Sequence, residues 1–501
     1  MSITKNKTAL VIGSGFAGLS VAAFLAKAGW KVTVIEKQDQ PGGRARKMEV
    51  SGFTFDMGPS WYWMPDVFER FFNQFGKTTA DFYPLERLDP SYRVYWDDEY
   101  WDIPADYDAL KKLFDKFEPG AGAALDRVMA EAAFKYKTGI QKLVFKPGQS
   151  WLEFADADLV KGVFKLDVFT SVKKHFGHYF KHPKIRQLLE FPVLFLGALA
   201  EDTPALYSLM NYADIKGGTW FPKGGMYKIV EAMHAVALGQ GVEFLFEHDA
   251  TAIEIKDDKA SWVSCNYRGE AKKLQADIVV SNADYHFTET KLLPQSHRSY
   301  TEKYWNSRVM APGCLLYYVG INKKIEGIQH HSLFFDVPFG PHAGDIYTTP
   351  QWPQDPLFYV SATSVTDKTQ APENAENLFF LIPVATGLPG DDEALRTNYF
   401  NKIVERFEKR IGTTIRENIV YYRSYAGSNF KHDYNAFKGN AYGLANTLLQ
   451  TAILKPSCRS KKVKNLFYTG QLTVPGPGVP PSLISGEVVA GEAEKYFAKE
   501  L

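Results

Sequence analysis

Cysteine is scarce: Cys265, Cys314 and Cys458 are the only three in 501 residues. The number is odd and none of them shares the spacing of a metal site, so no disulfide framework organises the chain and a reducing compartment is expected. Charge of one sign is missing too. Lys and Arg number 58 against 57 Asp and Glu, a formal net charge of +1, so no strong field selects for nucleic acid or a polyanionic substrate. Neither a nucleic-acid partner nor a metal is expected. No apolar run approaches the roughly 20 residues of a membrane-spanning helix. The first apolar run starts at Ala9, so close to Met1 that no room is expected for a signal peptide. No internal repeat is visible. Aromatic residues, by contrast, make up 15% of the chain, with 36 Phe and 27 Tyr, which suits a wide apolar cavity as well as a rich core.

The organising stretch is residues 8–37. Ala9 to Ile12 reads as a buried strand and passes directly into Gly13-Ser14-Gly15-Phe16-Ala17-Gly18, the spacing of the dinucleotide fingerprint. Gly13 permits the tight turn, Gly15 lets main chain approach a pyrophosphate, and Gly18 lets the following helix, Leu19 to Lys27, lie against the strand. Amides at that helix start face the phosphates. Lys31 to Ile35 reads as a second strand, closed by Glu36 where an acid takes the ribose hydroxyls, which argues against a 2′-phosphate. A lone fingerprint occurs by chance in glycine-rich loops; here strand, helix, strand and acid follow in order.

Two further motifs say which nucleotide. Pro41-Gly42-Gly43-Arg44-Ala45-Arg46 comes after the acid, then Asp56-Met57-Gly58-Pro59-Ser60. With these the chain resembles the flavin amine oxidase and phytoene desaturase superfamily. The resemblance implies FAD and an α/β fold: a Rossmann-like FAD-binding domain with an inserted α+β substrate domain. Pro222-Lys223-Gly224-Gly225-Met226 before a helix, and the segments Phe358 to Ser361, Val365 to Glu373 and Asn377 to Val384, point to its bacterial-type phytoene desaturase, or carotenoid desaturase, branch. The resemblance implies cofactor contacts from Gly13, Ser14, Gly15, Phe16, Ala17 and Gly18; from Glu36 and Lys37; from Gly42, Gly43 and Arg44; and from Gly58, Pro59 and Ser60. It adds Ala252 and Ile253 at the adenine edge, Asn282 and Ala283, Gly470 and Gln471, and Pro481 and Ser482 where the last helix begins. The usual turn there carries glycine with Ser or Ala rather than Pro480-Pro481-Ser482, and the helix dipole would favour the negative charge that grows on a reduced flavin ring.

Domain alternation follows from the same order. Residues 1–75, 216–300 and 456–501 are assigned to the FAD-binding domain, and 76–215 and 301–455 to the substrate domain, the first of these also facing a membrane. Helices are expected over Asp66 to Phe75, Ala109 to Phe117, Ala121 to Thr138, Tyr227 to Leu238 and Leu483 to Tyr496, and short strands within 82–104. Lysines and histidines interleave with Val163, Phe164, Phe169, Val172, Phe176, Tyr179 and Phe180, a composition that settles in a headgroup layer or makes an ordinary solvated surface. The protein is expected to be cytoplasmic and, on the first alternative, peripheral on the inner face of the cell membrane.

The family chemistry is removal of hydride from carbon and of a second hydrogen as a proton, extending a polyene. That requires a long apolar tunnel for an isoprenoid, for which Trp61, Tyr62, Trp63, Phe191 and Phe195 are the candidate linings. Oxygen or a membrane quinone would re-oxidise the flavin. No side chain stands out as a general base. The substrate expected is phytoene or a later acyclic intermediate, including 3,4-desaturation of a 1-hydroxylated one. A flavin amine oxidase and a non-enzymatic prenyl-lipid escort protein are the competing readings; the segment 358–384 opposes the first, and the Gly42-Gly43-Arg44 and Pro475-Gly476-Pro477-Gly478 motifs oppose the second.

Overall fold

A computed structural model describes residues 7–150, 153, 166–197 and 199–500, without side-chain detail at 141, 142, 194–196 and 448. The first apolar run forms the strand Thr8–Ile12 (β1). The helix Phe16–Lys27 (α1) then returns the chain to Lys31–Ile35 (β2), parallel to β1. Later segments complete the sheet. Glu243–Leu245 (β3) lies beside β2, Ile278–Ser281 (β4) lies on the other side of β1, and Leu466–Tyr468 (β5) lies beyond β4. The order is β5-β4-β1-β2-β3 and every pairing is parallel. A central parallel strand is covered on both faces, so β1 is buried from Ala9 to Ile12 with no polar alternation. Helices Tyr227–Gly239 (α2) and Val479–Glu500 (α3) both pack against α1. The α1–α3 contact is close enough to need glycine: a Cβ on Gly486 would stand 2.4 Å from Ser20 Cβ, and the Ser20 hydroxyl donates to the Leu483 carbonyl at 2.7 Å. Between β3 and β4 the chain makes a small antiparallel sheet of His248–Lys256, Lys259–Tyr267 and Glu270–Leu274.

The second large sheet has seven strands, in the order Ile419–Tyr425, Gly313–Ile321, Glu376–Val384, Phe358–Ser361, His331–Phe334, Tyr92–Tyr95 and Tyr100–Ile103. Its pairings are antiparallel except His331–Phe334 with Tyr92–Tyr95. All nine residues of Gly313–Ile321 are buried, because each face has a cover. Leu315, Tyr317 and Val319 pack with Phe400, Ile403 and Phe407 of the helix Glu393–Ile411. Cys314, Leu316 and Tyr318 face the opposite core, with Phe379, Leu381 and Trp63. The fold is thus an α/β nucleotide-binding unit into which an α+β unit is inserted in two pieces.

Helices Tyr107–Phe117 and Ala121–Thr138 lie where the apolar periodicity put them. The basic and aromatic stretch, for which a headgroup layer and a solvated surface are alternative expectations, is described only in part. In its described part, Val172, Phe176 and Phe180 are turned into the core, Tyr179 donates to Glu131, and Lys173 and Lys184 are paired with Glu201, Asp98 and Glu99. Among its described Phe and Tyr residues, Phe169 is the exposed one, at 84% exposure. Val163 and Phe164 lie outside the described residues, as does the Phe195 side chain. Among the described residues no helix is long and apolar enough to cross a membrane.

Candidate functional site

Gly13 turns the chain at φ +95° and its N–H donates to the Ile35 carbonyl at 2.8 Å, so the glycine turn is pinned beside the end of β2. That places Glu36 against the turn. Its Oε2 accepts from both the N–H and the hydroxyl of Ser14 at 2.7 Å, and its Oε1 accepts from the Gln38 N–H at 2.9 Å. A carboxylate oxygen has two lone pairs. Oε2 is therefore filled within the protein, and Oε1 keeps one lone pair for a ribose hydroxyl. Gly18 works from behind: a Cβ there would lie 2.1 Å from the Gly13 carbonyl oxygen.

The second wall is laid directly on the first. Gly42, at φ +112°, donates to the Ser14 carbonyl at 2.9 Å, and a Cβ on Gly43 would stand 3.3 Å from Gly15 Cα. Gly58 is packed on Arg44, where a Cβ would meet the Arg44 carbonyl oxygen at 2.3 Å. Asp56, four residues before Ser60, accepts the Met226 and Tyr227 N–H groups at 2.8 and 2.9 Å and so fixes the start of α2; burial still pushes its carboxyl up to about 6. The buried Arg44 guanidinium reaches the Asn440 carbonyl at 3.2 Å, while its Nε has no partner among the described residues. Burial lowers the pKa of Arg44, and Asp284 opposes the shift. Asn282 presents its Oδ1 to Gly15 and Gly18 and donates from Nδ2 to the Thr469 carbonyl at 3.3 Å, and Gly470 donates to Ser485 Oγ at 3.0 Å. At the start of α3, Ser482 bonds back to the Gly478 carbonyl through its N–H at 3.0 Å and its hydroxyl at 2.8 Å. Pro480 and Pro481 occupy the first turn, where a missing N–H breaks no helical bond but also removes donors that a ligand could use.

One cavity joins these walls to the inserted unit. It is lined by Gly13, Gly15, Phe16, Ala17, Glu36, Lys37, Gly42, Gly43, Arg44, Gly58, Pro59, Ser60, Asn282, Ala283, Gly470, Gln471, Pro481 and Ser482, and continues past Trp61, Trp63 and Phe191. Ser14 and Gly18 sit behind the lining in the roles just given. Three expected residues lie off it. Tyr62 points the opposite way from Trp61 and Trp63, as alternate residues of an extended chain do; it is fully buried, stacked on Phe68 and bonded to the Tyr83 hydroxyl at 3.1 Å. Ala252 and Ile253 lie beyond a register shift in their strand, Ile253 in the core against Val263, and His248, Asp249 and Ala250 line the cavity instead.

Sequence reasoning missed the far side of the cavity, made by Leu333, Phe335, Phe339, His342, Tyr359 and Leu381. Nothing local marks these residues, since which strand faces the nucleotide depends on pairings distant in the chain. Of the Asp, Glu, Lys and Arg residues in the lining, Glu36, Lys37, Arg44, Asp249 and Asp284 belong to the nucleotide unit, and Asp433 of the inserted unit is held by Arg46 at 2.9 Å. In the aromatic half His342 accepts from the Leu357 N–H at 2.9 Å and donates to the Pro383 carbonyl at 2.8 Å, and burial lowers its pKa, so it is neutral. Trp61 gathers the aromatic wall: its ring lies 4.1 Å from that of His331 at 10°, and 5.2, 5.4 and 5.6 Å from Trp63, Tyr92 and Tyr359. The phenol of Tyr359 and Nδ1 of His331 are hydrogen-bonded at 2.6 Å.

The residues present fit a dinucleotide with a flavin end. Main chain without Cβ atoms leaves pyrophosphate space, Glu36 has an acceptor to spare, Arg44 has an unpartnered donor, and the cradle opens onto aromatic surface. Comparisons with known proteins agree. The profile of the family Flavin containing amine oxidoreductase matches residues 16–493. A carotenoid 3,4-desaturase of Haloarcula japonica is 40% identical over 492 residues, covering 98% of each chain. A zeta-carotene-forming phytoene desaturase of Myxococcus xanthus is 30% identical, covering 97% of this chain and 93% of the relative. Among solved structures, an oxidoreductase from Methanosarcina mazei shares the fold, with a TM-score of 0.63 at 15% identity over 97% of this chain and 100% of that one. A dinucleotide cradle of this kind, matched end to end by such relatives, takes FAD. The chain belongs to the flavin containing amine oxidoreductases, within their carotenoid desaturase branch.

Proposed function

We propose that the protein introduces a carbon–carbon double bond at the 3,4 position of an acyclic carotenoid. The observation that carries this reading is the continuity of the glycine cradle with a chamber whose described lining holds aromatic and aliphatic side chains and no ionised group. The 3,4 position follows the 40% identical relative. Bound flavin supplies an acceptor for the electron pair of a substrate C–H bond. The chain does the rest. Gly13, Gly15 and the first turn of α1 hold the pyrophosphate, Glu36 the ribose, and Arg44 supplies a fixed positive charge inside the protein. Trp61, Trp63, Phe191 and Phe335 hold the hydrocarbon and exclude water, and their faces favour positive charge that develops on carbon as a hydride leaves. The substrate dissolves in bilayers, which supports delivery at the inner membrane surface, with Phe169 as the described ring that enters the headgroup layer, and re-oxidation by oxygen or a membrane quinone.

Expression in hosts that accumulate phytoene, lycopene or hydroxylated lycopene derivatives tests the reading. A red-shifted pigment lengthened by double bonds at the 3,4 position is expected in a lycopene-type host. Flavin-loaded protein that leaves every acyclic carotenoid unchanged would overturn it.

A further inference from the structure

Making an alkene from two adjacent CH groups removes two hydrogens by different routes. One C–H bond breaks with its electron pair leaving as hydride, so that carbon is oxidised and the pair goes to the acceptor that a bound flavin would supply. The neighbouring C–H bond leaves its pair behind as the new π bond and loses a proton, which has to bond to something. The acidic and basic residues of the lining belong to the nucleotide unit, except Asp433, which Arg46 holds at 2.9 Å, and His342 in the aromatic half has both ring nitrogens engaged.

We propose that Tyr359 is the catalytic residue that receives this proton and that His331 behind it takes up the proton Tyr359 gives away. Tyr359 is on the strand Phe358–Ser361 and lines the cavity; His331, on the neighbouring strand His331–Phe334, is fully buried on the same face. The Tyr359 hydroxyl also faces Ser60, the last residue of the turn that packs on Arg44. The pair therefore stands at the junction of the cofactor cradle and the hydrocarbon chamber, where the reacting carbons must lie. Tyr359 Oη and His331 Nδ1 are 2.6 Å apart, and Nε2 of His331 has no partner among the described residues.

The proton balance is complete. The substrate proton bonds to Tyr359 Oη as the Oη–H proton bonds to His331 Nδ1, leaving a neutral phenol and an imidazolium. That imidazolium lies face to face with the Trp61 ring at 4.1 Å, an arrangement that stabilises a cation. After product leaves, the same two transfers run backwards and deliver the proton to water entering the chamber. Burial keeps both groups in the starting form, the phenol protonated and the imidazole neutral, since it raises the first pKa and lowers the second. An imidazole of lowered pKa is a weak base, and a weak base suffices for a carbon acidified by adjacent cationic charge. His331 acts through Tyr359 and is a positioning residue.

This inference rests on the desaturase reading, and the test separates the two. If the wild-type holoenzyme desaturates no carotenoid, the reading fails whatever the variants do. If it does, Tyr359→Phe is expected to lower kcat by about 10²-fold or more, with flavin content, melting temperature and KM unchanged. The isotope effect from deuterium at the proton-losing carbon should rise, because proton removal becomes limiting. His331→Asn, which keeps an acceptor for the phenol but cannot hold the proton, should lose kcat similarly at unchanged KM. In histidine-labelled holoenzyme, the ¹⁵N spectrum should contain a ring nitrogen of acceptor type that shifts in Tyr359→Phe. A Tyr359→Phe enzyme that is flavin-loaded and within a few-fold of wild-type kcat overturns the proposal. So does a His331→Asn enzyme of normal kcat, or a nitrogen spectrum indifferent to loss of the phenol.

Discussion

The single atom most responsible for cofactor capture is the Cβ that Gly15 lacks. In Gly15→Val the side chain would meet Asn282 Oδ1, 3.0 Å from the Cβ position, and fill the space kept for pyrophosphate. The expected outcome is protein of native circular dichroism that elutes without flavin; retention of one flavin per chain would contradict the cradle. Asp214 makes a pH prediction. It is buried, accepts from the Tyr92 hydroxyl at 2.8 Å and from Thr219 at 3.2 Å, and burial raises its carboxyl from 3.8 to about 6. A raised carboxyl pKa means that stability present below the unfolded value is lost as pH rises through the folded one. From 3.8 to about 6, at about 1.4 kcal/mol per pH unit, the loss is about 3 kcal/mol. Asp214→Asn should therefore gain on wild type by up to that amount between about pH 4 and pH 7, measured as the difference of two melting curves. At this scale much of the site was legible. Gly13 and Gly15 act within one turn of chain and Glu36 is returned to them by one strand–helix–strand unit, and such local geometry is what a motif records. Tyr62 was readable in principle from the alternation of an extended segment. Tyr359 and His331 were not, because their partnership is made by strand pairing and no spacing encodes it.

Among the elements, α1 and α3 are set by one residue in the way the cradle is. Gly486→Val would press side-chain atoms onto Ser20 Cβ and the Val21 N–H, 2.4 and 2.6 Å from the Cβ position. A loss of about 1–3 kcal/mol is expected from such overpacking, with weaker flavin retention because both helix starts face the cavity. Thermal melting with flavin release as a second readout checks this, and an unaltered melting temperature would contradict the close contact. Elements with strong periodicity were readable from residues alone; Ala121–Thr138 is an example. The start of α3 was placed at Leu483 rather than Val479, because two prolines in succession look like loop yet fit a first helical turn. Strand existence was readable at Glu376–Val384, which is apolar from Leu378 onward. Its neighbours were not. Tyr92–Tyr95 pairs with a strand more than two hundred residues later, a choice made by the whole hydrophobic surface rather than by either segment.

For the whole molecule, the nucleotide sheet is interleaved: β1 and β2 come early, β3 and β4 from the middle, and β5 with α3 from the end. A chain cut after Asn465 would lose β5 and α3, and with them Gly470, Gln471, Pro481 and Ser482 from the cavity wall. It would also expose β4 and one face of α1. Such a chain is expected to be insoluble and flavin-free, assayed by expression and by pigment-free absorbance of any soluble fraction; a folded, yellow truncated protein would contradict the sheet order. The interleaved order of the nucleotide sheet has a sequence counterpart in the glycine motifs near β1, β3 and β5, whereas the course of the chain between them carries none. The order of strands also dictates a calendar for biosynthesis. The ribosome makes β5 and α3 after the rest of the sheet, so a nascent chain holds β1, β2 and β4 with one edge unpartnered until Leu466–Tyr468 has emerged. Flavin acquisition must wait for Gly470, Gln471, Pro481 and Ser482, which complete the cavity wall, and in the interval the greasy chamber stands open to whatever chaperone or lipid first covers it.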